Sequence, residues 1–241
     1  MKSKIYKKLY KDSKNEAFKI IEKKLKNKEK TFIVTANPET YMLSETDKVM
    51  YEILNNKDNL VVPDGIAIVK TANFLGYNIN ERITGVEIAE HLLEIANKNK
   101  YKVYLFGATQ EVIDKLENKI KEEYPNIKLV GASNGYIKDK DSVMEYIKTT
   151  KPDIVMLAMG IPLQEKLINK HINDFKKGIF IGVGGSFDVL SGSKKRAPKI
   201  FIKLNLEWLY RIVCEPKRLK RFWNSNIKFM FKILKIKLFD K

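Results

Sequence analysis

Six short runs rich in β-branched and aromatic residues alternate with segments of helical spacing along most of the chain. The runs cover residues 31–36, 60–64, 102–108, 127–133, 153–160 and 179–185. Between most of them, apolar residues recur three and four positions apart, as in "EVIDKLENKIKEEY" (111–124) and "SVMEYIKTT" (142–150). Strands joined by helical crossovers pair in parallel and carry helices on both faces. The sequence therefore predicts an α/β fold with a Rossmann-like, mostly parallel sheet.

Several of these predicted strands end in glycine or in a short polar side chain. In open α/β sheets, ligands bind at the carboxyl ends of the strands, where the βα loops meet. We therefore expect one rim to gather the residues at or just past the strand ends, namely Thr35, Asn37, Asp64, Gly107, Gly160 and Gly184.

Asp64 lies in "VVPDGIAIV", with apolar residues on both sides. Partial desolvation would raise the pKa of its carboxyl group and make it a stronger base. Such a carboxylate at a strand end suits removal of a proton from a sugar hydroxyl. Pro-Asp-Gly is also favourable turn chemistry, so an ordinary turn is the alternative interpretation.

Thr35 and Asn37 in "VTANPET" follow an apolar strand directly. Threonine can donate and accept a hydrogen bond, and the asparagine amide offers an acceptor and two donors, which suits a polyhydroxyl ligand. Asn37 before Pro38 is also typical of a helix start. Both roles are compatible.

The segment "GVGGSFDVLSGSKKRAPK" (182–199) predicts a glycine loop whose amides at Gly184, Gly185 and Ser186 could hold an anion. Phe187 stands where the dinucleotide-binding fingerprint needs its third glycine, and no Walker loop occurs in the chain. A nicotinamide-dependent oxidoreductase is therefore disfavoured. "LFGATQEV" (105–112) is a second strand–glycine–helix junction.

Few residues suggest a metal site. Asp139 and Asp141 resemble the Asp-x-Asp pair of many nucleotide-sugar enzymes, but they open a helical pattern, where acidic residues need no metal. His91 and His171 are predicted to lie on the surface. The single cysteine, Cys214, excludes an intramolecular disulfide and fits a reducing compartment.

The net charge of +17 is concentrated at the two ends of the chain. Residues 1–30 carry +8, residues 194–241 carry +12, and the remainder carries −3. We therefore divide the chain into an α/β catalytic core (1–193) and a basic C-terminal appendage (194–241). Such asymmetry favours a polyanionic partner, either nucleic acid or anionic lipid.

The sequence at the end of the appendage favours anionic lipid over nucleic acid as the partner. Lys228, Lys232 and Lys235 fall on one helical face, and Phe229, Met230, Ile233, Ile236 and Leu238 lie largely away from it. This pattern predicts a basic amphipathic helix in a bilayer interface, or else a helix docked on its own domain. Aromatic residues interleaved with aliphatic ones do not form the stacking platform typical of nucleic-acid binding. No uncharged apolar stretch approaches the ~20 residues of a membrane-spanning helix.

Eight short segments together resemble the WecG/TagA/CpsF glycosyltransferase family. They are "TANPE" (35–39), "VPDGIAIV" (62–69), "ERITGVEI" (81–88), "YLFGA" (104–108), "AMGIPLQEK" (158–166), "GVGGSFDVLSG" (182–192), "KRAP" (195–198) and "LEWLYRIVCEPKRLKR" (206–221). Their occurrence in this order is far more specific than any single loop.

The resemblance implies an inverting enzyme that needs no metal or other cofactor. It would move a sugar, most often N-acetylmannosamine, from a UDP donor to N-acetylglucosamine on an undecaprenyl-diphosphate carrier. The product would serve wall teichoic acid linkage-unit synthesis or a related glycan; another UDP-hexose for capsule or exopolysaccharide is the alternative. A cytoplasmic protein held peripherally on the inner face of the cell membrane follows, with no nucleic-acid partner, and a homo-oligomer is a further expectation.

The resemblance also implies site residues. Asp64 is the expected base, with Thr35 and Asn37 beside the sugar and Arg82 facing the same pocket. The expected substrate-binding residues are Gly107, Gln164, Glu165, Gly184, Gly185, Asp188, Arg211, Arg218 and Arg221.

Overall fold

Six strands form a single sheet in which every pairing is parallel. The structure is a computed structural model that describes residues 4–239, apart from the side chains of Lys4, Arg218, Arg221 and Phe239. The strands are β1 (Lys30–Ala36), β2 (Leu60–Pro63), β3 (Lys102–Gly107), β4 (Lys128–Ser133), β5 (Ile154–Ala158) and β6 (Gly178–Gly182). Each corresponds to one of the six predicted runs, and the predicted Rossmann-like α/β class is confirmed.

Helices precede the first strand, connect the strands and follow the last one. They are α1 (Lys4–Lys8), α2 (Lys14–Lys26), α3 (Pro38–Ser44), α4 (Lys48–Asn55), α5 (Ile66–Phe74), α6 (Gly85–Asn99), α7 (Gln110–Glu123), α8 (Lys140–Thr150), α9 (Leu163–His171), α10 (Ser186–Leu190), α11 (Lys199–Lys203), α12 (Glu207–Cys214), α13 (Arg218–Phe222) and α14 (Lys228–Phe239). A 3-10 turn covers Ile172–Asp174, and a π-helical turn, Trp223–Ile227, joins α13 to α14.

The two faces of the sheet carry separate apolar cores. Along β1, Phe32 and Val34 enter one core with Tyr41 of α3, while Ile33 enters the other with Leu92 of α6. This alternation follows from the two-residue period of a strand. Because both faces are covered, five of the six strands are almost wholly buried, which explains why they are continuous apolar runs in the sequence; β4, at the edge of the sheet, is half-buried.

The strand order, β2-β1-β6-β5-β3-β4, sets where a site can form. The chain leaves β1 toward β2 on one side, whereas it reaches β6 from β5 on the other. The loops therefore diverge between β1 and β6, which is the switch point at which ligands bind in such sheets.

The C-terminal helix α14 docks on its own domain, which was the alternative to a free amphipathic helix. Phe229, Ile233 and Ile236 are buried in the core that contains Tyr41, and the Phe229 and Tyr41 rings lie 5.2 Å apart, edge to face. Phe231 and Leu238 are each 70% exposed. The apolar residues of α14 are thus divided between the core and the surface. In the described part of the chain, no helix combines the length and apolar character required to cross a bilayer.

A pair of phenylalanines in α14 tests this docking. We expect Phe229→Ala to lower the free energy of unfolding by about 3–5 kcal/mol, because a fully buried ring is removed. Phe231→Ala, two residues further on and exposed, should change it by less than about 0.5 kcal/mol. Urea denaturation of both variants measures the difference. Equal effects would contradict the docked arrangement.

Candidate active site

A cleft of about 340 Å³ opens at the carboxyl ends of four adjacent strands, β2, β1, β6 and β5. Its volume lies within the ~300–1,000 Å³ range of small-molecule sites. Eight of the residues predicted for the site line it: Thr35, Asn37, Asp64, Arg82, Gln164, Gly184, Gly185 and Arg211. The sheet therefore brings together residues separated by up to 176 positions in the chain.

Backbone hydrogen bonds extend the sheet edge and place Asp64 in the cleft. The Asp64 N–H donates to the carbonyl oxygen of Ala36 at 2.8 Å, one residue beyond the end of β2. The Ile83 N–H donates to the carbonyl oxygen of Pro63 at 2.9 Å. The second bond pins the loop between α5 and α6 against β2, so that Arg82 lies near Asp64.

Helix α6 begins beside the Asp64 carboxylate, and the backbone N–H of Gly85 donates a hydrogen bond to it. Thr84 caps this helix and donates from Oγ1 to Glu87 Oε2 at 2.7 Å, while Lys14 Nζ lies 2.8 Å from Glu87 Oε1. The positive end of a helix stabilises a carboxylate. The cap thus fixes a favourable partner for Asp64.

Burial raises the pKa of Asp64 from 3.8 to about 6, and it outweighs the lowering effects of Arg211, Arg82 and the Gly85 N–H. Glu207, which carries a like charge, adds a smaller upward contribution. Asp64 is only partly exposed to solvent, through the cleft. A carboxylate with a pKa near 6 is ionised at neutral pH yet more basic than an ordinary aspartate, as a general base requires.

Asn37 serves both as a cleft residue and as the cap of α3. Its Oδ1 accepts hydrogen bonds from the N–H groups of Glu39 and Thr40, each at 3.0 Å. The predicted helix start is therefore confirmed, and the amide oxygen is used within the protein. Thr35 is buried, 7% exposed, and its methyl group faces Gly85.

Gln164 ties two loops of the cleft together. Its Oε1 accepts the N–H groups of Gly160 at 3.2 Å and Gly184 at 3.0 Å, and its Nε2 donates to Glu165 Oε1 at 2.7 Å. A Cβ atom at Gly182 would lie 2.5 Å from Nε2 of Gln164, so this packing needs a glycine there. The Gly184 N–H thus has a partner within the protein, contrary to the anion-binding role predicted for it.

Three predicted residues lie outside the lining of the cleft. A Cβ atom at Gly107 would be 2.4 Å from the carbonyl oxygen of Ala158, so Gly107 permits β3 and β5 to approach closely. Glu165 is buried behind Gln164. Asp188 lies 3.5 Å from Lys194. For Arg218 and Arg221, the predicted roles concern side chains outside the described part of the structure.

One wall of the cleft comes from the segment after residue 193. Glu207, Trp208 and Ile212 of α12 line it together with Phe222, whose ring stacks on Trp208 at 4.7 Å between centroids. The sequence predicted Arg211 as a site residue, but Glu207 was not predicted. The signal that could have found it is the helical spacing of Glu207 and Arg211, four residues apart and facing the same way.

A second group of titratable residues lies away from the cleft. Contrary to the surface position predicted for it, His171 is buried, 7% exposed, and its Nε2 lies 2.6 Å from Asp141. Asp139 caps α8, as the predicted helix start requires. Glu145, His171 and Asp174 are spaced closely enough to hold a metal ion, but none lines the cleft. Metal independence of the reaction stays a prediction.

A carboxylate with a raised pKa beside two arginines, at the switch point of a parallel sheet, is an arrangement typical of an enzyme active site. The profile of the Glycosyl transferase WecG/TagA/CpsF family matches residues 6–241, so this chain belongs to that family and is a glycosyltransferase. The resemblance that the motifs indicated is confirmed.

Two relatives show how close the similarity is. The N-acetylglucosaminyldiphosphoundecaprenol N-acetyl-beta-D-mannosaminyltransferase of Bacillus subtilis (strain 168) is 41% identical over 203 residues, 84% of this chain and 78% of the relative. The protein of the same name from Staphylococcus aureus (strain NCTC 8325 / PS 47) is 42% identical over 207 residues, 86% of this chain and 80% of the relative.

The raised pKa of Asp64 gives a stability prediction. A group whose folded pKa is raised loses stability as the pH rises from its unfolded pKa to its folded pKa, by ~1.4 kcal/mol per unit of difference, and the loss is complete above the folded pKa. We expect the free energy of unfolding of Asp64→Asn at pH 8 to be about 1–3 kcal/mol higher than that of wild type, allowing for the partial exposure of Asp64. At pH 4.5 the gain should fall to roughly a third of that, because the wild-type carboxyl group is protonated when folded.

Urea denaturation at the two pH values measures this gain. Asp188→Asn is the matched control: the carboxylate of Asp188, whose side chain is 27% exposed, lies 3.5 Å from Lys194, so its loss should change the unfolding free energy by less than about 1 kcal/mol. An Asp64→Asn protein no more stable than wild type at pH 8 would contradict the buried-charge account.

Proposed function

We propose that this glycosyltransferase moves N-acetylmannosamine from a UDP donor to N-acetylglucosaminyl-diphospho-undecaprenol, in synthesis of a wall teichoic acid linkage unit or a related surface glycan. The observation that carries the proposal is the juxtaposition of Asp64 with Arg82 and Arg211 in one cleft. The names of the two relatives supply the sugar and the acceptor.

Asp64 acts as the general base. It takes the proton from the attacking hydroxyl of the acceptor sugar, and the oxygen forms a bond to the anomeric carbon of the donor. The bond from that carbon to the UDP oxygen breaks, and UDP leaves with the electron pair. A single displacement of this kind inverts the configuration at the anomeric carbon, and Asp64 alone carries the proton.

The leaving diphosphate develops negative charge that must be stabilised. Arg82 and Arg211 line the cleft with Asp64, and a guanidinium matches phosphate oxygens with two parallel hydrogen bonds. Arg82 is largely buried, with 12% of its side chain exposed, so its charge acts where water screens it little. These two side chains supply the stabilisation that a divalent ion gives in other transferases.

Product analysis with a panel of UDP-sugars and a lipid-diphosphate N-acetylglucosamine analogue tests the donor. We expect UDP-N-acetylmannosamine to be turned over and Asp64→Asn to lose activity by about 10²–10⁴-fold, the usual contribution of a general base. Wild-type kcat/KM should fall about tenfold per pH unit below pH 6, where Asp64 becomes protonated. Turnover of another UDP-hexose instead would support the capsule-type alternative.

The same assay with EDTA tests metal independence. Full activity in chelator is expected, because the arginines carry the leaving-group charge. Loss of activity that magnesium restores would refute this part of the mechanism.

We further propose that the protein lies peripherally on the inner face of the cell membrane. What supports this is the exposed apolar surface of the basic appendage, which includes Trp223, Phe231 and Leu238. In a flotation assay with anionic vesicles, we expect Phe231→Ser together with Leu238→Ser to reduce binding severalfold while leaving stability unchanged. Equal binding by the double variant, or a shift of duplex DNA at the same salt concentration, would favour the nucleic-acid alternative.

A further inference from the structure

One carboxylate holds both arginines of the cleft. Glu207, the first residue of α12, has 7% of its side chain exposed. Its Oε1 accepts a hydrogen bond from Nη2 of Arg211, one helical turn away, and its Oε2 lies 3.6 Å from Nη1 of Arg82. Both positive charges in the described lining of the cleft are therefore paired with Glu207.

The charges along the described cleft lining do not favour an incoming anion. Glu39, Asp64 and Glu207 supply three negative charges, and Arg82 and Arg211 supply two positive ones, which leaves −1 when Asp64 is ionised. A nucleotide diphosphate adds further negative charge. Its binding needs guanidinium groups that Glu207 occupies in this structure, since buried charges must be paired.

We propose that Glu207 is a positioning residue that holds the place of the donor diphosphate until the donor binds. It holds Arg82 and Arg211 near Asp64, and it exchanges at least one of them for phosphate oxygens when the donor binds. This inference rests on the proposed function, because it takes the donor to be a nucleoside diphosphate sugar.

The charges of Glu207 and of the two arginines also act on the pKa of the base. The negative charge of Glu207 raises the pKa of Asp64, after burial as the main cause, and the two arginines lower it. An arginine that turns from Glu207 to phosphate remains in the cleft, so Asp64 stays beside positive charge throughout.

Glu207→Gln separates the two roles, because it keeps the shape and an acceptor oxygen and removes the charge. We expect calorimetry to show UDP binding about fivefold or more tighter than to wild type, since an internal competitor is lost. The acidic limb of the kcat/KM profile should also move to lower pH. A purely structural role predicts the reverse for UDP: looser arginines and weaker binding.

Glu215→Gln is the matched control. It removes the same charge at the end of the same helix, where Glu215 lies 3.1 Å from Lys194 and outside the cleft lining. Its UDP affinity should equal that of wild type. Equal or weaker UDP binding by Glu207→Gln than by the control would overturn the inference.

A wild-type complex with UDP covers the case in which Glu207→Gln does not fold. We expect its crystal structure to show at least one of the two guanidinium groups on phosphate and no longer on Glu207. Both ion pairs intact in the complex would overturn the inference and leave the proposed function standing. Absence of UDP binding by wild type would overturn the proposed function itself, and this inference with it.

Discussion

The Asp64 carboxylate must be ionised at neutral pH inside a cleft where protein atoms displace most of its water. Burial disfavours that charge, whereas the N-terminus of α6 and the guanidinium groups of Arg82 and Arg211 favour it. The balance leaves the pKa near 6, between an ordinary aspartate and a group that would be protonated at pH 7. Weaker burial would give a poorer base, and fewer positive partners would leave the base protonated.

Each partner of Asp64 is delivered by a different part of the fold, so the sheet has to hold them in register. The pairing of β1 with β2 aligns Thr35 with Val62, and the hydrogen bond from Asp64 to Ala36 continues that ladder. On the other side of the switch point, Gln164 fixes the loop after β5 to the loop after β6. Its amide oxygen accepts backbone N–H groups that would otherwise be unsatisfied, and this holds the two loops in place. One of these groups, the Gly184 N–H, was predicted to bind an anion and is used within the protein instead.

The sequence was most informative where local pattern and tertiary role coincide. Continuous β-branched runs predicted the six strands, and polar residues at or just after their ends predicted Asp64 and Thr35 as neighbours. It was less informative for side chains whose role depends on what packs opposite. In the sequence, Glu207 is an ordinary acidic residue of a helix, and only the structure shows that it faces Arg82. His171 likewise has the sequence context of a surface residue, but in the structure it contacts Asp141 of α8. The docking of α14 was left open for the same reason, because Phe229 and Phe231 look alike in sequence.

The division at residue 193 into core and appendage stays a prediction. The packing between them indicates what the core would lose if the appendage were removed. Helix α6 belongs to the core and contacts the appendage. Its first residue, Gly85, donates a hydrogen bond to Asp64 in the core, and its Glu90 accepts two hydrogen bonds from Arg196 of the appendage, at 2.8 and 2.9 Å. Removing the appendage would take away Arg211, which stabilises the charged form of Asp64, and would also admit water, which stabilises it too. These effects oppose each other for the pKa of the base, but both deprive the leaving diphosphate of a desolvated positive partner. In the proposed mechanism, the reaction would therefore depend on the appendage more through the leaving group than through the base.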